Sequence, residues 1–234
     1  LRIFTLLLLL YASCSFGQNS AVEYYQSALI HDARGDYAAA VTDLENAIDL
    51  RPDFDSALCL YGSICYKKGE SRLAIKMFDK ALRSSPDYLD ALNGRGIAKA
   101  QLNEHAQAIK DFNRIIELQP SNGKAFYNRA QAKARLDDFD AAVKDLDKAI
   151  ELAPDNINAW YSRAYWKDFA GDYQGCISDY KKVVEMDPSY REAYIGMATS
   201  MYQHNDKAEA CNVLQVAADK GSIMAEEIIE KICK

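Results

Sequence analysis

Large side chains recur along the chain at Tyr24, Leu58, Leu92, Phe126, Trp160 and Tyr194. Four residues after each stands a small one: Ala28, Gly62, Gly96, Ala130, Ala164 or Ala198. A second set follows in every interval. Small residues at Ala40, Ala74, Ala108, Ala142, Cys176 and Ala210 lead to large ones at Leu44, Phe78, Phe112, Leu146, Tyr180 and Leu214. Ala47, Ala81, Ile115, Ala149, Val183 and Ala217 complete that set. Such spacings put each set on one helix face, so every interval predicts two amphipathic helices. The small positions let two helix backbones approach closely, where a leucine would overpack at a cost of about 1–3 kcal/mol.

The joints are as regular as the faces. Between the two helices of each interval stands Gly35, Gly69, Asn103, Asp137, Gly171 or Asn205, the residue types that tolerate a left-handed helix end. An acidic residue follows each one: Asp36, Glu70, Glu104, Asp138, Asp172 and Asp206. These are expected to cap the second helix and meet its positive dipole end. Pro52, Pro86, Pro120, Pro154 and Pro188 are spaced 34 residues apart. The residues after them, Asp53, Asp87, Ser121, Asp155 and Ser189, are expected to cap the next first helix. A fixed period of this length means an array of repeats, here 21–54, 55–88, 89–122, 123–156, 157–190 and 191–224 within a segment 18–224. No sixth proline follows. A turn containing Gly221 stands in its place, and residues 225–234, with Ala225, Ile229, Ile232 and Cys233 on one face, predict a capping helix. No linker of Pro, Gly and Ser interrupts the chain after residue 20, which suggests one continuous domain.

Composition narrows the function classes. With 49% hydrophobic and 26% charged residues, the chain is too apolar for disorder. A net charge of −6 lacks the basic footprint of a nucleic-acid binder. Residues 1–17 read differently from the rest: Arg2, an apolar run over residues 3–12, then small and polar residues. This is the layout of a secretory signal and is too short to span a bilayer. Ser15 and Gly17 suit cleavage before Gln18, giving an exported, periplasmic or extracellular protein. Tyr11-Ala12-Ser13-Cys14 offers an alternative, because it resembles the lipobox of bacterial lipoproteins and would make Cys14 a lipid anchor, the one expected route to a membrane.

The repeat columns resemble the tetratricopeptide repeat (TPR), whose pattern is a large residue at position 4, Gly or Ala at 8, Ala at 20, a large residue at 24, Ala at 27 and Pro at 32. Ile115 and Val183 depart from it at position 27. The end of the sixth repeat, Ala217-Ala218-Asp219-Lys220-Gly221 followed by Ala225, is also similar to a Sel1-like repeat. The resemblance implies an all-α solenoid of helical hairpins in a right-handed superhelix. It also implies a protein or peptide partner held in a concave groove lined by first helices. Carried onto this sequence, the groove positions include Tyr25, Tyr66, Asn93, Lys124, Tyr127, Gln131, Asn158, Tyr161, Tyr165 and Tyr202. Tyrosines are rigid, amphipathic contacts suited to extended peptides, and Tyr127, Tyr161 and Tyr165 are expected to form an exposed aromatic patch. The carboxylate clamp of chaperone-binding TPR proteins is absent: Asn128 matches its middle Asn, while Asn93, Ile97, Asn158 and Ser162 do not match its other positions. The function expected is a non-catalytic interaction scaffold, with a lipoprotein subunit of an outer-membrane assembly or transport complex as the alternative.

No catalytic constellation stands out. His31, His105 and His204 share no metal-ligand spacing, and Gly94-Arg95-Gly96 lies inside a predicted helix rather than after a strand. No cofactor or metal is expected. Cys59 and Cys65, six apart on one helix, point to different faces. Cys176 takes a small-residue position and reads as a packed thiol. Cys211 falls in a column otherwise held by Val41, Ile75, Ile109, Val143 and Ile177 that faces the following element, here the helix carrying Cys233. A Cys211–Cys233 disulfide is therefore expected, with two packed thiols as the alternative. Finally, Arg95, Arg129 and Arg163 at position 7 accompany Lys99, Lys133 and Lys167 at position 11 and Asp111, Asp145 and Asp179 at position 23. Arg and Lys four apart share a helix face, and the Asp belongs to the facing helix. The reading is a ladder of ion pairs between helices, against the alternative of a solvated stripe; repeat one has Asp43 without the Arg.

Overall fold

The computed structural model of the protein describes residues 20–233; the expected signal segment and Cys14 lie outside them. Among the described residues the structure is entirely helical. The first helices of the six hairpins are α1 (20–33), α3 (Asp55–Lys67), α5 (Leu89–Gln101), α7 (Gly123–Ala134), α9 (Ile157–Phe169) and α11 (Arg191–Gln203). The second helices are α2 (Tyr37–Leu50), α4 (Ser71–Ser84), α6 (His105–Leu118), α8 (Phe139–Leu152), α10 (Tyr173–Met186) and α12 (Lys207–Asp219), and α13 (Ile223–Ile232) closes the chain two residues earlier than expected at its start. They group into two compact units, one ending at Leu118 and one beginning at Gln119, rather than the single domain the missing linker suggests. A repeat array has no central core to draw the chain together, so a compact unit can end at a joint without any linker.

Each hairpin turns where the small and polar residues stand. Gly35, Gly69 and Gly171 have positive φ, and so do Asn103, Asp137 and Asn205 at 62°, 61° and 67°, the polar side chains that visit this region most readily. Helix caps follow the expected chemistry only in part. Asp36, Asp172 and Asp206 accept hydrogen bonds from the amides of Ala39, Gly175 and Glu209, whereas Glu70 and Asp138 make no such bond. At the first helices the cap lies one residue beyond the expected position. Asn122 and Asn156 accept from Ala125 and Ala159, and Phe54, Tyr88 and Tyr190 occupy the equivalent place without a side-chain cap. A ring there packs on the neighbouring core instead: Phe54 is 5% exposed, with its ring 5.1 Å from that of Tyr25.

In unit 1, Phe78 fills the space left by two glycines. A Cβ at Gly62 would lie 2.8 Å from its ring and one at Gly94 only 2.4 Å, so the close approach of α3, α4 and α5 depends on both lacking a side chain. In unit 2 Tyr180 packs in the same way on Gly196, where a Cβ would lie 2.6 Å from its ring, and Leu146 and Leu214 are buried at the same column.

The expected ionic ladder is present and runs within hairpins. Asp111, Asp145 and Asp179 are 3–5% exposed. Asp111 accepts from Arg95 Nε at 3.0 Å and Lys99 Nζ at 2.8 Å; Asp145 accepts from Arg129 Nε at 2.8 Å and Lys133 Nζ at 2.8 Å. Asp179 accepts from Arg163 Nε at 2.7 Å and pairs with Lys167 at 3.0 Å. Each guanidinium binds its carboxylate through two nitrogens, the strongest geometry available to this pair. Arg95 and Arg163 also reach back one repeat, to Asp79 and Asp147, at 2.7 Å each. Burial pulls these two arginines down, but the hydrogen bonds to Asp111 and Asp79, and to Asp179 and Asp147, outweigh it and hold both above their ordinary pKa. Repeat one completes the series differently. His31 stands at the lysine position with Nδ1 2.9 Å from Asp43.

Candidate functional site

The first helices of unit 1 enclose an open cavity of about 530 Å³. Tyr25 of α1, Cys59, Leu60, Ser63 and Tyr66 of α3, and Asn93 and Ile97 of α5 line it. Phe78 of α4 lies behind this wall, buried and packed on Gly94. Tyr25, Tyr66 and Asn93, three of the residues placed in a groove by the repeat columns, thus share one cavity. Leu60, Gly94 and Phe78, which also border it, were not among them. Gly94 stands where the adjacent repeats have Leu60 and Asn128 and the sixth again has glycine, Gly196; the Phe78 ring takes the space its missing side chain leaves.

Two charged side chains reach the rim, Lys67 and Asp90. The Lys67 ammonium is held by both oxygens of Asp32, at 2.8 and 3.0 Å, leaving Asp90 in the first turn of α5 as the uncompensated charge. Burial, reinforced by the charges around it, raises the Tyr25 hydroxyl, and burial pushes the Tyr88 hydroxyl to about 12. Burial and then the negative charge of Asp90 push the Cys59 thiol to about 12. The wall is therefore neutral at physiological pH apart from Asp90 and the neutralised Lys67.

Unit 2 distributes its groove residues differently. Tyr127 and Gln131 gather around the buried Ser162, the amide of Gln131 donating to its hydroxyl at 2.9 Å and the Tyr127 hydroxyl lying 3.5 Å away. Tyr161 packs its ring 5.6 Å from Tyr180 and 5.3 Å from Tyr190. The expected exposed patch of Tyr127, Tyr161 and Tyr165 therefore does not form: the first two are half-buried, and Tyr165 alone is exposed, at 40%. Tyr165 instead joins Trp166, Phe169 and, through Phe169, Phe139 in a run of ring contacts between 4.7 and 5.8 Å. Lys124, Asn158 and Tyr202 are exposed.

Cys211 and Cys233 are joined, with Cα atoms 5.8 Å apart, and Cys59, Cys65 and Cys176 are free and buried. The Cys211 position is half-buried rather than fully enclosed. Burial first of all pushes the free thiols to about 12, 11 and 12, far from the range of reactive cysteines. A shift of two units or more above an ordinary thiol predicts that iodoacetamide at pH 8 labels the folded protein at least about a hundredfold more slowly than the unfolded chain. Stability should also fall as pH rises from about 9. The unfolded thiols lose their protons there while the folded ones keep them, and a native state that binds more protons loses stability with rising pH. Rapid labelling of the folded protein would contradict this placement of the thiols. Among the described residues no group of three or more His, Cys, Asp and Glu could hold a metal ion, and no helix is long and apolar enough to cross a membrane.

Helical hairpins with small residues at their crossings, left-handed joints and, in unit 1, a cavity on the first-helix side define a helical repeat protein. Models of the tetratricopeptide repeat match residues 25–88 and 66–123, 123–156, and 157–190. The chain belongs to the tetratricopeptide repeat family. No curated protein matches it significantly in sequence. Among solved structures, a tetratricopeptide repeat protein from Parabacteroides merdae ATCC 43184 is 20% identical, covering 87% of this chain and 81% of its own, with a TM-score of 0.76. PilF of Pseudomonas aeruginosa is 16% identical over 92% of this chain and 99% of its own, with a TM-score of 0.75. YrrB, described as a TPR protein with an unusual peptide-binding site, is 20% identical over 80% of this chain and 97% of its own, with a TM-score of 0.68. At these identities the likeness establishes the fold.

Proposed function

We propose that this protein is a non-catalytic interaction scaffold that holds a peptide segment of a protein partner against its first helices, with the cavity of unit 1 as the principal site. The observation that carries the reading is that cavity. At about 530 Å³ it falls in the size range of ligand sites, its walls mix aromatic, aliphatic and amide side chains, and its thiol is too weakly acidic for chemistry. A peptide-binding site in YrrB, which shares the fold, supports the same use here. Lys124, Asn158 and Tyr202 provide further exposed contacts in unit 2, and the net charge of −6 speaks against nucleic acid as the partner.

The setting we propose is outside the cytoplasm, as a secreted or periplasmic protein, because the disulfide suits an oxidising compartment and the first 17 residues read as a signal. Anchoring through Cys14 as a subunit of an outer-membrane assembly is the variant of this reading that the lipobox-like motif favours. The mass of the mature N-terminus separates them, since a diacylated Cys14 and a free Gln18 are incompatible. The binding reading is tested by selecting displayed peptides against the protein and measuring them on a Tyr66→Ala/Asn93→Ala variant. Loss of an aromatic anchor and an amide should weaken binding at least about tenfold. Selected peptides that bind both forms equally would move the site elsewhere.

A further inference from the structure

The cavity of unit 1 has an interior with an aliphatic patch and an asymmetric rim, and together they specify more than a peptide. The Phe78 ring lies behind its wall, packed on Gly94 and itself only 1% exposed. The apolar surface that a ligand meets is that of Leu60 and Ile97, both half-buried, with the rings of Tyr25, Tyr66 and Tyr88 around them. That interior suits an aliphatic side chain and offers no buried charge to pair with a polar one.

The rim carries the discrimination. Lys67 is committed to Asp32, while the Asp90 carboxylate forms no ion pair or hydrogen bond with any described residue and projects from the first turn of α5. The same carboxylate bears on Tyr25, Cys59 and Tyr88, raising all three, which puts its field across the cavity mouth. We propose, building on the peptide-binding reading, that this cavity selects a segment carrying an aliphatic side chain next to a cationic one, with the aliphatic group against Leu60 and Ile97 and the cation at Asp90. An acidic neighbour in the ligand would meet Asp90 without any free cation to offset it. Lys67 could compensate only by leaving Asp32.

The test uses three capped peptides, acetyl-Gly-Lys-Leu-Gly-amide, acetyl-Gly-Glu-Leu-Gly-amide and acetyl-Gly-Lys-Gly-Gly-amide, titrated into the full protein while backbone amide shifts are followed. Because Asp90 is exposed, solvent screens the pair. The Lys-Leu peptide should therefore bind about two- to fivefold tighter than the Glu-Leu peptide at low salt, with the gap closing as salt rises. The Lys-Gly peptide should bind weakest, and the shifts should centre on Cys59, Ser63, Asn93 and Ile97. In Asp90→Lys, a surface change checked for folding by circular dichroism, the order of the Lys-Leu and Glu-Leu peptides should reverse. Equal binding of those two peptides to both forms would overturn the charge selection while leaving a peptide site in place. No shifts at the cavity with any peptide would overturn the selection together with the use of this cavity for peptides.

Discussion

Replacing Asp145 with alanine is expected to lower the unfolding free energy by about 3–5 kcal/mol, the cost of breaking a buried pair from one side. Asp145 is 5% exposed and neutralises both Arg129 and Lys133. Its removal takes away the one carboxylate that both cations, one turn apart on α7, share. A chemical denaturation curve for Asp145→Ala, set beside the exposed Asp155→Ala, measures the effect. Equal midpoints would mean that the ladder is solvated and structurally idle. The columns also suggest a rescue. Repeat six fills the same three positions with Met197, Met201 and Val213, of which both methionines are buried, and repeat two uses Tyr61, Cys65 and Met77. The trio is therefore ionic in repeats three to five and largely apolar in two and six. Because an apolar replacement of a whole buried ion pair is often neutral or stabilising, Arg129→Met/Lys133→Met/Asp145→Val should recover most of what Asp145→Ala loses. The ladder then serves chiefly to define which helix faces meet.

Reducing the Cys211–Cys233 disulfide, or replacing Cys233 with serine, is expected to cost about 3 kcal/mol for a loop of this size and to free the closing helix. The bond spans 22 residues and ties α13 to α12. Only Ala225 of α13 is fully buried, whereas Ile223 and Met224 are 73% and 60% exposed; the remaining hold comes from Ile228, Ile229 and Ile232 on the core of unit 2. Ten residues with so little burial are too short to persist as an isolated helix. Hydrogen exchange should therefore accelerate across α13 in Cys233→Ser while α7 to α9 keep their protection. Unchanged exchange in α13, or peptide mapping under non-reducing conditions that finds both thiols free, would show that the cap does not depend on this bond.

The parts of the structure legible in the sequence are those governed by local chemistry or by strict period. Asn103, Asp137 and Asn205 announce left-handed joints because few side chains tolerate them, and the joints lie where those residues stand. The ladder was readable because Arg and Asp changed together across three repeats, and His31 with Asp43 follows the same two columns once lysine is allowed to become histidine. What escaped depends on neighbours. Position along a helix says which face Tyr161 occupies, but not that Tyr180 and Tyr190 would cover it. The caps of the first helices move by one residue because Phe54, Tyr88 and Tyr190 stand at the helix start, with Phe54 drawn into the core, while Asn122 and Asn156 keep a side-chain cap at the same position. The cavity of unit 1 escaped for the same reason. It forms where side chains of α1, α3 and α5 meet, whereas counting tyrosines on first helices points equally to both units.

The central claim is that a partner's peptide lies on the first-helix side of unit 1. Locating a selected peptide on the protein tests it most directly, by amide shift mapping or by a structure of the complex. The account predicts contacts concentrated on Ser63, Tyr66, Asn93 and Ile97, with α2, α4 and α6 undisturbed at their exposed surfaces. A peptide seated on those second helices, with Tyr66 and Asn93 unaffected, would contradict it.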